Sequence, residues 1–492
     1  MKKFITKTIV TLLFAVGITA CSSDYFDVNT PSGTVQPEQL RMSDLLAPVI
    51  HSTLEGQRSG ELAFGNYVQN FVSQGGGAAG ETEAAGLWNQ VYLFILPNLK
   101  VIKEKSVAQN APHFGAVADI LTAINLGIAT DTWDNIPFSQ ASLGLDNLSP
   151  AFDTQEQIYT QIFTLLDGAI AALQGPDDSG ISVGNEDLIY RGNLDKWLRA
   201  AYTIKARYQL HLVNKGVTSP NDVLASIANG FTSNADNFAM FYDERNINPW
   251  YSSEVLARNT GNFHRDIASQ LVSSMNGDNY PFTSGALTID PRLPVFASNG
   301  GAAEWKGFVS GGEGLAPDGN DANTTFVENG FYTSIDSPLL LISYAEAMFI
   351  KAEAAFLANG GTTTSVGANT DAYAAYMEGI SASMAMYGVD GTAYMADTSV
   401  DVGEANLMLN HIMKEKYIHN FLNPETFVDY RRYNFSDDVF KGLTIRQEAD
   451  ADGDFAGQWF RRANYPSSEA NRNSAVVQAN QQSPVTPVWW EN

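Results

Sequence analysis

From about residue 86 onward, apolar residues recur at i, i+3, i+4 and i+7 while strict period-two alternation is rare, which predicts a mainly α protein. In TQEQIYTQIFTLLDGAIAALQG, Ile158, Ile162, Leu165, Ala169 and Leu173 share one face; Thr154 and Gln157 form a capping box, and Gly175 stops the helix. In NLDKWLRAAYTIKARYQLHL, Trp197, Ala201, Ile204, Tyr208 and Leu212 form a stripe behind the cap Asn193. Ser337 and Pro338 predict a helix opening at the proline and closing at Gly360. Further helices are expected at about 87–107, 114–129, 371–388 and 404–422.

Small residues recur beside large ones within these helices, as with Ala345, Ala352 and Ala355 next to Tyr344, Met348 and Phe356. Such faces pack closely in pairs, so the expected fold is a tetratricopeptide-like stack of helix pairs, although the 34-residue consensus of such repeats is not met cleanly. The stack is expected at about 86–240 and 338–433. Between them, about 240–336 is rich in Gly, Asn, Ser and Asp with isolated aromatics, the composition of a long functional loop region. The tail, 434–492, lacks strong helix signals, and residues 37–492 are read as a single domain.

The N-terminus adds a location. Lys2, Lys3 and Lys7 precede an apolar run from Ile9 to Val16 and the small-residue stretch Gly17 to Ala20, the layout of a secretory signal too short to span a bilayer. Cys21, the single cysteine among 492 residues, follows directly. This arrangement resembles a bacterial lipoprotein signal (1–20), with Cys21 as the lipidated residue and 21–36 as a polar tether; Ile18 and Thr19 depart from the usual pattern, and the other reading is a plain secretory peptide with a stray thiol. Lipidation would consume the thiol, leave no disulfide possible, and hold the chain stably through several acyl groups.

Removing the leader takes three lysines and no acids, leaving 26 basic against 54 acidic residues, a net charge of −28. That balance argues against nucleic acid and against an anionic membrane surface as partners. GGGAAG at 75–80 has dinucleotide-loop spacing without a βαβ context and reads as a loop. Asp450, Asp452 and Asp454 approach calcium-loop spacing, but Arg461 stands where the bidentate glutamate belongs, so a solvated turn is the better reading and structural calcium the lesser one. The six histidines form no short ligand motif, and there is no GxSxG elbow, so no cofactor and no catalytic chemistry are expected. A carboxylate pair for glycoside hydrolysis stays open, because the separation of two acids is a property of the fold.

Taken in order, LWNQVYLFILPNLKVI (87–102), ATDTWDNIPFSQA (129–141), PAFDTQEQIYTQIFTLLDGAI (150–170), LIYRGNLDKWLRAAYTIKARYQLHL (188–212), IDPRL (289–293), SYAEAMFIKAEAAF (343–356), YMEGISASMAMYG (376–388), FVDYRRYNF (427–435) and FRRANYPSSEANRN (460–473) resemble the SusD/RagB family of Bacteroidetes outer-membrane lipoproteins, in its SusD-like branch. The resemblance implies a lipid-anchored protein at the cell surface that binds oligosaccharide or polysaccharide and acts as the lid of a SusC-type TonB-dependent transporter, without chemistry of its own. A peptide or another nutrient as ligand is the alternative within the family. It also implies that Asp131, Trp133, Trp197, Arg207, Arg292, Arg431 and Arg462 belong to the scaffold.

Ligand contact is then expected from aromatics outside that scaffold, because a flat ring packs against the C–H faces of a sugar. Trp250 and Tyr251 in NINPWYSSE and Trp305 in GAAEWKGF lie among Asn and Gly, and Trp88 follows a loop rich in Gly and Glu. Trp459, Trp489 and Trp490 in the tail are weaker candidates. For each, the other reading is a loop anchor packed on the helices.

Overall fold

The computed structural model describes residues 39–73, 81–446 and 455–491. The leader, Cys21, the whole 21–36 tether, the 75–80 glycine loop and Asp450, Asp452 and Asp454 lie outside the described residues.

Helices dominate. The stack is built from α1 (Met42–Phe64), α2 (Ala85–Asn89), a π-helical turn (Gln90–Ile95), α3 (Leu96–Ala108), α4 (Pro112–Trp133), α5 (Gln155–Gln174), α6 (Leu194–His211) and α7 (Pro220–Ile227). It continues, after the loop region with its helix α8 (Ser269–Met275), with α9 (Tyr344–Ala358), α10 (Thr370–Tyr387), α11 (Leu409–His419) and α12 (Glu425–Arg432). Successive members pack on one another: α3 on α4, α4 on α5, α5 on α6, α6 on α7, then α7 on α9 and α9 on α10. The tetratricopeptide-like expectation therefore holds.

Local chemistry explains the helix ends. Thr154 and Gln157 make the expected reciprocal cap of α5, and Gly175 ends it. Asn193 accepts from Lys196 N at 3.1 Å to open α6. Trp197, Ala201, Ile204, Tyr208 and Leu212 are all buried. Three expectations need correction. Pro338 opens no helix: Pro338–Ile342 is strand β6, paired with β2 (Phe238–Phe241), and α9 starts six residues later under a Ser343 cap. The helix expected at 404–422 is confined to Leu409–His419, after a short 3-10 turn at Glu404–Asn406. The stack also begins earlier than residue 86, with α1, whose Pro48, Gly56 and Gly60 disguise a buried stripe of Leu45, Leu46, Val49, Ile50 and Leu54.

An ionic spine runs through the stack. Glu346 and Glu353, seven residues apart on α9, share a face. Glu346 takes a bidentate pair from Arg207 of α6 at 2.8 and 2.6 Å, and Glu353 one from Arg432 of α12 at 2.7 and 3.1 Å. Arg292 joins the loop region to it, bonding Asp290 and Glu415 each at 2.6 Å with all three side chains fully buried. Buried charges of this kind persist only when paired and hydrogen-bonded. Asp131, Trp133, Trp197, Arg207, Arg292, Arg431 and Arg462 are all buried.

The loop region and the segment after α1 together form a four-stranded antiparallel sheet in the order β1 (Phe71–Ser73), β3 (Arg265–Ile267), β5 (Thr325–Phe326), β4 (Ala297–Ser298). The tail runs back over the stack and adds Trp490 to the same core.

Candidate ligand site

Between α8 and the loops on either side lies an open cavity of about 880 Å³. Among the described residues one indole, that of Trp305, lines it. The backbone that carries Trp305 is clamped by Asn323, whose Nδ2 donates to Glu304 O at 3.0 Å and whose Oδ1 accepts from Lys306 N at 3.0 Å. Asn323 N and Thr324 N in turn donate to Lys306 O at 2.9 and 3.1 Å. Gly307 comes next because the chain there passes directly over α8: a Cβ at this position would sit 2.6 Å from Ser269 Cα and 2.7 Å from Ala268 O. A half-buried tryptophan is thus presented from a rigid bracket, not from a loose loop.

The walls are polar. α8 contributes Ser269, Gln270 and Ser273, and the turn after it Asn276, Asp278 and Asn279. Gln69 reaches in from the segment after α1 and is fixed by its 2.6 Å bond to Thr444 O. Asn279 Nδ2 and Ser310 Oγ, both on the lining, have no hydrogen-bond partner among the described residues. Lys306 Nζ pairs with Asp318 at 2.7 Å and Glu304 at 3.5 Å. The hydrogen bonds from Lys306 and Asn320 hold the Asp318 carboxyl well below the ordinary carboxylate range. One aromatic face beside amides, hydroxyls and carboxylates is the chemistry that a polyhydroxylated ligand needs, and the volume falls in the range of small-ligand clefts, roughly 300–1,000 Å³.

The other candidates fall elsewhere. Trp250 is 1% exposed, its ring centroid 6.1 Å from that of Phe71 and covered by the Arg58 guanidinium at 5.5 Å. Its direction is set by Asn248, whose Oδ1 accepts from the backbone N–H of Trp250 and of Tyr251 at 2.7 and 3.0 Å, turning the indole into the core. Tyr251 is half-buried and does not line the cavity. Trp88 is buried edge-on against Trp133, centroids 5.0 Å apart at 88°. Of the four expected contact residues, Trp305 lines the cavity, while Trp88 and Trp250 are buried and Tyr251 lies away from it. In the tail, Trp459 stacks on Phe435 at 4.5 Å, Trp489 lies under Lys215, and Trp490 is buried. Sequence reasoning missed Asn276, Asn279, Gln69 and Ser310; the Asn/Asp/Gly run NGDN at 276–279 was the visible signal for the first two.

The family signature described as starch-binding and associating with the outer membrane matches residues 34–466. The chain belongs to the SusD-like family. No curated protein matches the sequence. Among solved structures, a chitin-binding SusD homolog from Flavobacterium johnsoniae superposes with a TM-score of 0.70 at 22% identity, covering 92% of this chain and 98% of that one. A SusD/RagB family protein from Bacteroides thetaiotaomicron gives 0.69 at 24%, covering 92% and 99%. A further structure described as a chitin-binding protein gives 0.73 at 22%, covering 92% and 100%. At these identities the likeness establishes a shared fold, and this SusD-like chain keeps it from the first helix to the tail.

Proposed function

We propose that this SusD-like protein captures an oligosaccharide or polysaccharide in the Trp305 cavity and acts by binding, not by catalysis. The observation that carries the reading is the rigidly bracketed indole on a large cavity whose other walls are amides, hydroxyls and carboxylates. A sugar ring would lay its C–H face on Trp305 and direct its hydroxyls to Asn276, Asn279 and Ser273. The starch-binding description of the family and the chitin-binding names of two structural neighbours support a glycan over a peptide.

The leader and the family's association with the outer membrane support the rest of the proposal: a chain anchored through lipid on Cys21, displayed at the cell surface, and seated as a lid on a SusC-type TonB-dependent transporter. Titration calorimetry against starch and N-acetylglucosamine oligomers tests the binding role. Affinity for at least one glycan, weakened in Trp305→Ala, is expected; the release of new reducing ends during the titration would point to a hydrolase instead. Palmitate labelling that survives Cys21→Ser would remove the anchor, and purification from membranes without a co-eluting transporter would remove the lid.

A further inference from the structure

The loops that form the cavity are strongly and unevenly charged. Between Asn276 and Asn323 the acids are Asp278, Asp290, Glu304, Glu313, Asp318 and Asp321, and the bases are Arg292 and Lys306. Asp290 and Arg292 are fully buried and bound to each other, so they leave the surface neutral at that point. The remaining five carboxylates are all exposed. Against them stands Lys306, whose ammonium is already paired with Asp318 and Glu304. The other nearby cations face rings: Arg446 is buried with its guanidinium 3.9 Å from the Phe460 centroid, and Lys441 lies 5.2 Å from that of Tyr280. The stretch that brings Gly442 to Arg446 to the lining also carries the exposed Asp437 and Asp438, which match Lys441 and Arg446 in number, so this wall brings no excess of positive charge.

We infer that the cavity discriminates by charge, taking neutral and amine-bearing glycans and rejecting polyuronates and sulfated chains, with Asp278 and Glu304 at the rim as the residues that set this preference. The inference rests on the glycan reading of the site. Its physical basis is that a carboxylate-bearing sugar entering the cavity meets exposed acids within a Debye length, about 8–10 Å at ordinary salt, and finds among the described residues no lining cation without a partner. An uncharged sugar meets no such repulsion, and an ammonium-bearing sugar gains from the same field.

The test works for any glycosidic linkage. Affinity electrophoresis of the full chain against starch, mannan, N-acetylglucosamine oligomers and galacturonan identifies what binds. The bound neutral glycan is then partly oxidised at its primary hydroxyls to carboxylates, and wild type is compared with Asp278→Asn/Glu304→Gln. At about 20 mM salt the oxidised glycan is expected to bind at least about tenfold more weakly than its parent, the gap narrowing to about threefold or less at about 300 mM salt and in the double variant. Galacturonan binding as tightly as the best neutral glycan, or an oxidation penalty that ignores both salt and the substitutions, would overturn charge selection. If no glycan of any charge binds, the glycan reading itself fails, and charge selection falls with it. Both substitutions are at exposed positions; melting curves verify folding, and the salt series on wild type decides independently of them.

Discussion

The indole Nε1 of Trp490 donates to Asp131 Oδ1 at 2.8 Å, joining positions 359 apart in the chain. Asp131 also accepts from Tyr159 Oη at 2.7 Å and faces His211, which bonds Glu425 at 2.7 Å. The end of α4, the start of α5, the end of α6, the first turn of α12 and the tail therefore meet in one buried polar knot beside the aromatic core.

Removing the tail's contribution should be strongly destabilising. Trp490→Ala is expected to lower stability by about 3–5 kcal/mol, as for other large-to-small core changes. Trp490→Phe keeps most of the ring but strips one donor, and about 1–3 kcal/mol is expected. Urea midpoints at constant slope measure both; a Trp490→Ala loss under about 1 kcal/mol would show that the tail is peripheral.

Two tryptophans that look alike in sequence should behave in opposite ways. Trp305→Ala is expected to weaken glycan binding roughly 5- to 150-fold, the equivalent of about 1–3 kcal/mol of lost stacking, with little change in melting temperature. Trp250→Ala should cost about 3–5 kcal/mol of stability and leave the affinity of the folded fraction unchanged. Calorimetry paired with melting curves reads the contrast, and reversed outcomes would return Trp250 to the site.

The His211 knot makes stability depend on pH. Burial opposes the imidazolium, but Glu425 and Asp131 outweigh it and hold the ring up to about 8. Because the folded value lies above the ordinary 6.5, the stabilisation is complete below pH 6.5 and is lost as pH rises through 8, a swing of about 2 kcal/mol. His211→Gln should be less stable at pH 6 and lack that swing; an unchanged slope in the variant would assign the titration elsewhere.

A second group titrates in an overlapping window. Burial pushes the Glu61 carboxyl up to about 8, only partly offset by Asn70 and Arg265, and its Oε2 has no hydrogen-bond partner among the described residues. Here too the folded state holds the proton more tightly, so stability declines as pH rises from 4.5 to 8. Glu61→Gln keeps an acceptor for Asn70 Nδ2, now 2.9 Å from Oε1, and cannot ionise. Its advantage over wild type should grow with pH by on the order of 3–5 kcal/mol, read from denaturation at about pH 4.5 and 8.5. A constant difference would mean that Glu61 does not titrate in this range.

The helical stack was legible because its signals are local. Caps such as Thr154 with Gln157, and stripes such as Trp197 to Leu212, fix an element within a few turns. α1 was hidden because Pro48 and its glycines weaken the propensity signal, and its burial against α2 and α3 is a tertiary fact. The break at Pro338 was misread for a related reason: Pro–Leu–Leu–Leu–Ile fits a strand or a helix start equally well, and pairing with β2 decides it. Site residues were legible only in part. Loop composition brought Trp250 and Trp305 forward together, but what surrounds each indole comes from residues distant in sequence: Phe71 and Arg58 cover Trp250, and Asn323 brackets the backbone that presents Trp305.

The position of Trp490 also makes the seal of the stack depend on the tail. A chain clipped after residue 433 keeps every helix of the stack, yet its Asp131 and Arg431 lack the indole that each of them contacts in the intact molecule. Such a clipped chain keeps an open seam, with a buried-type carboxylate and apolar surface turned outward, and offers that seam to proteases. Closure by the tail makes an intact 434–491 segment a condition for a sealed core.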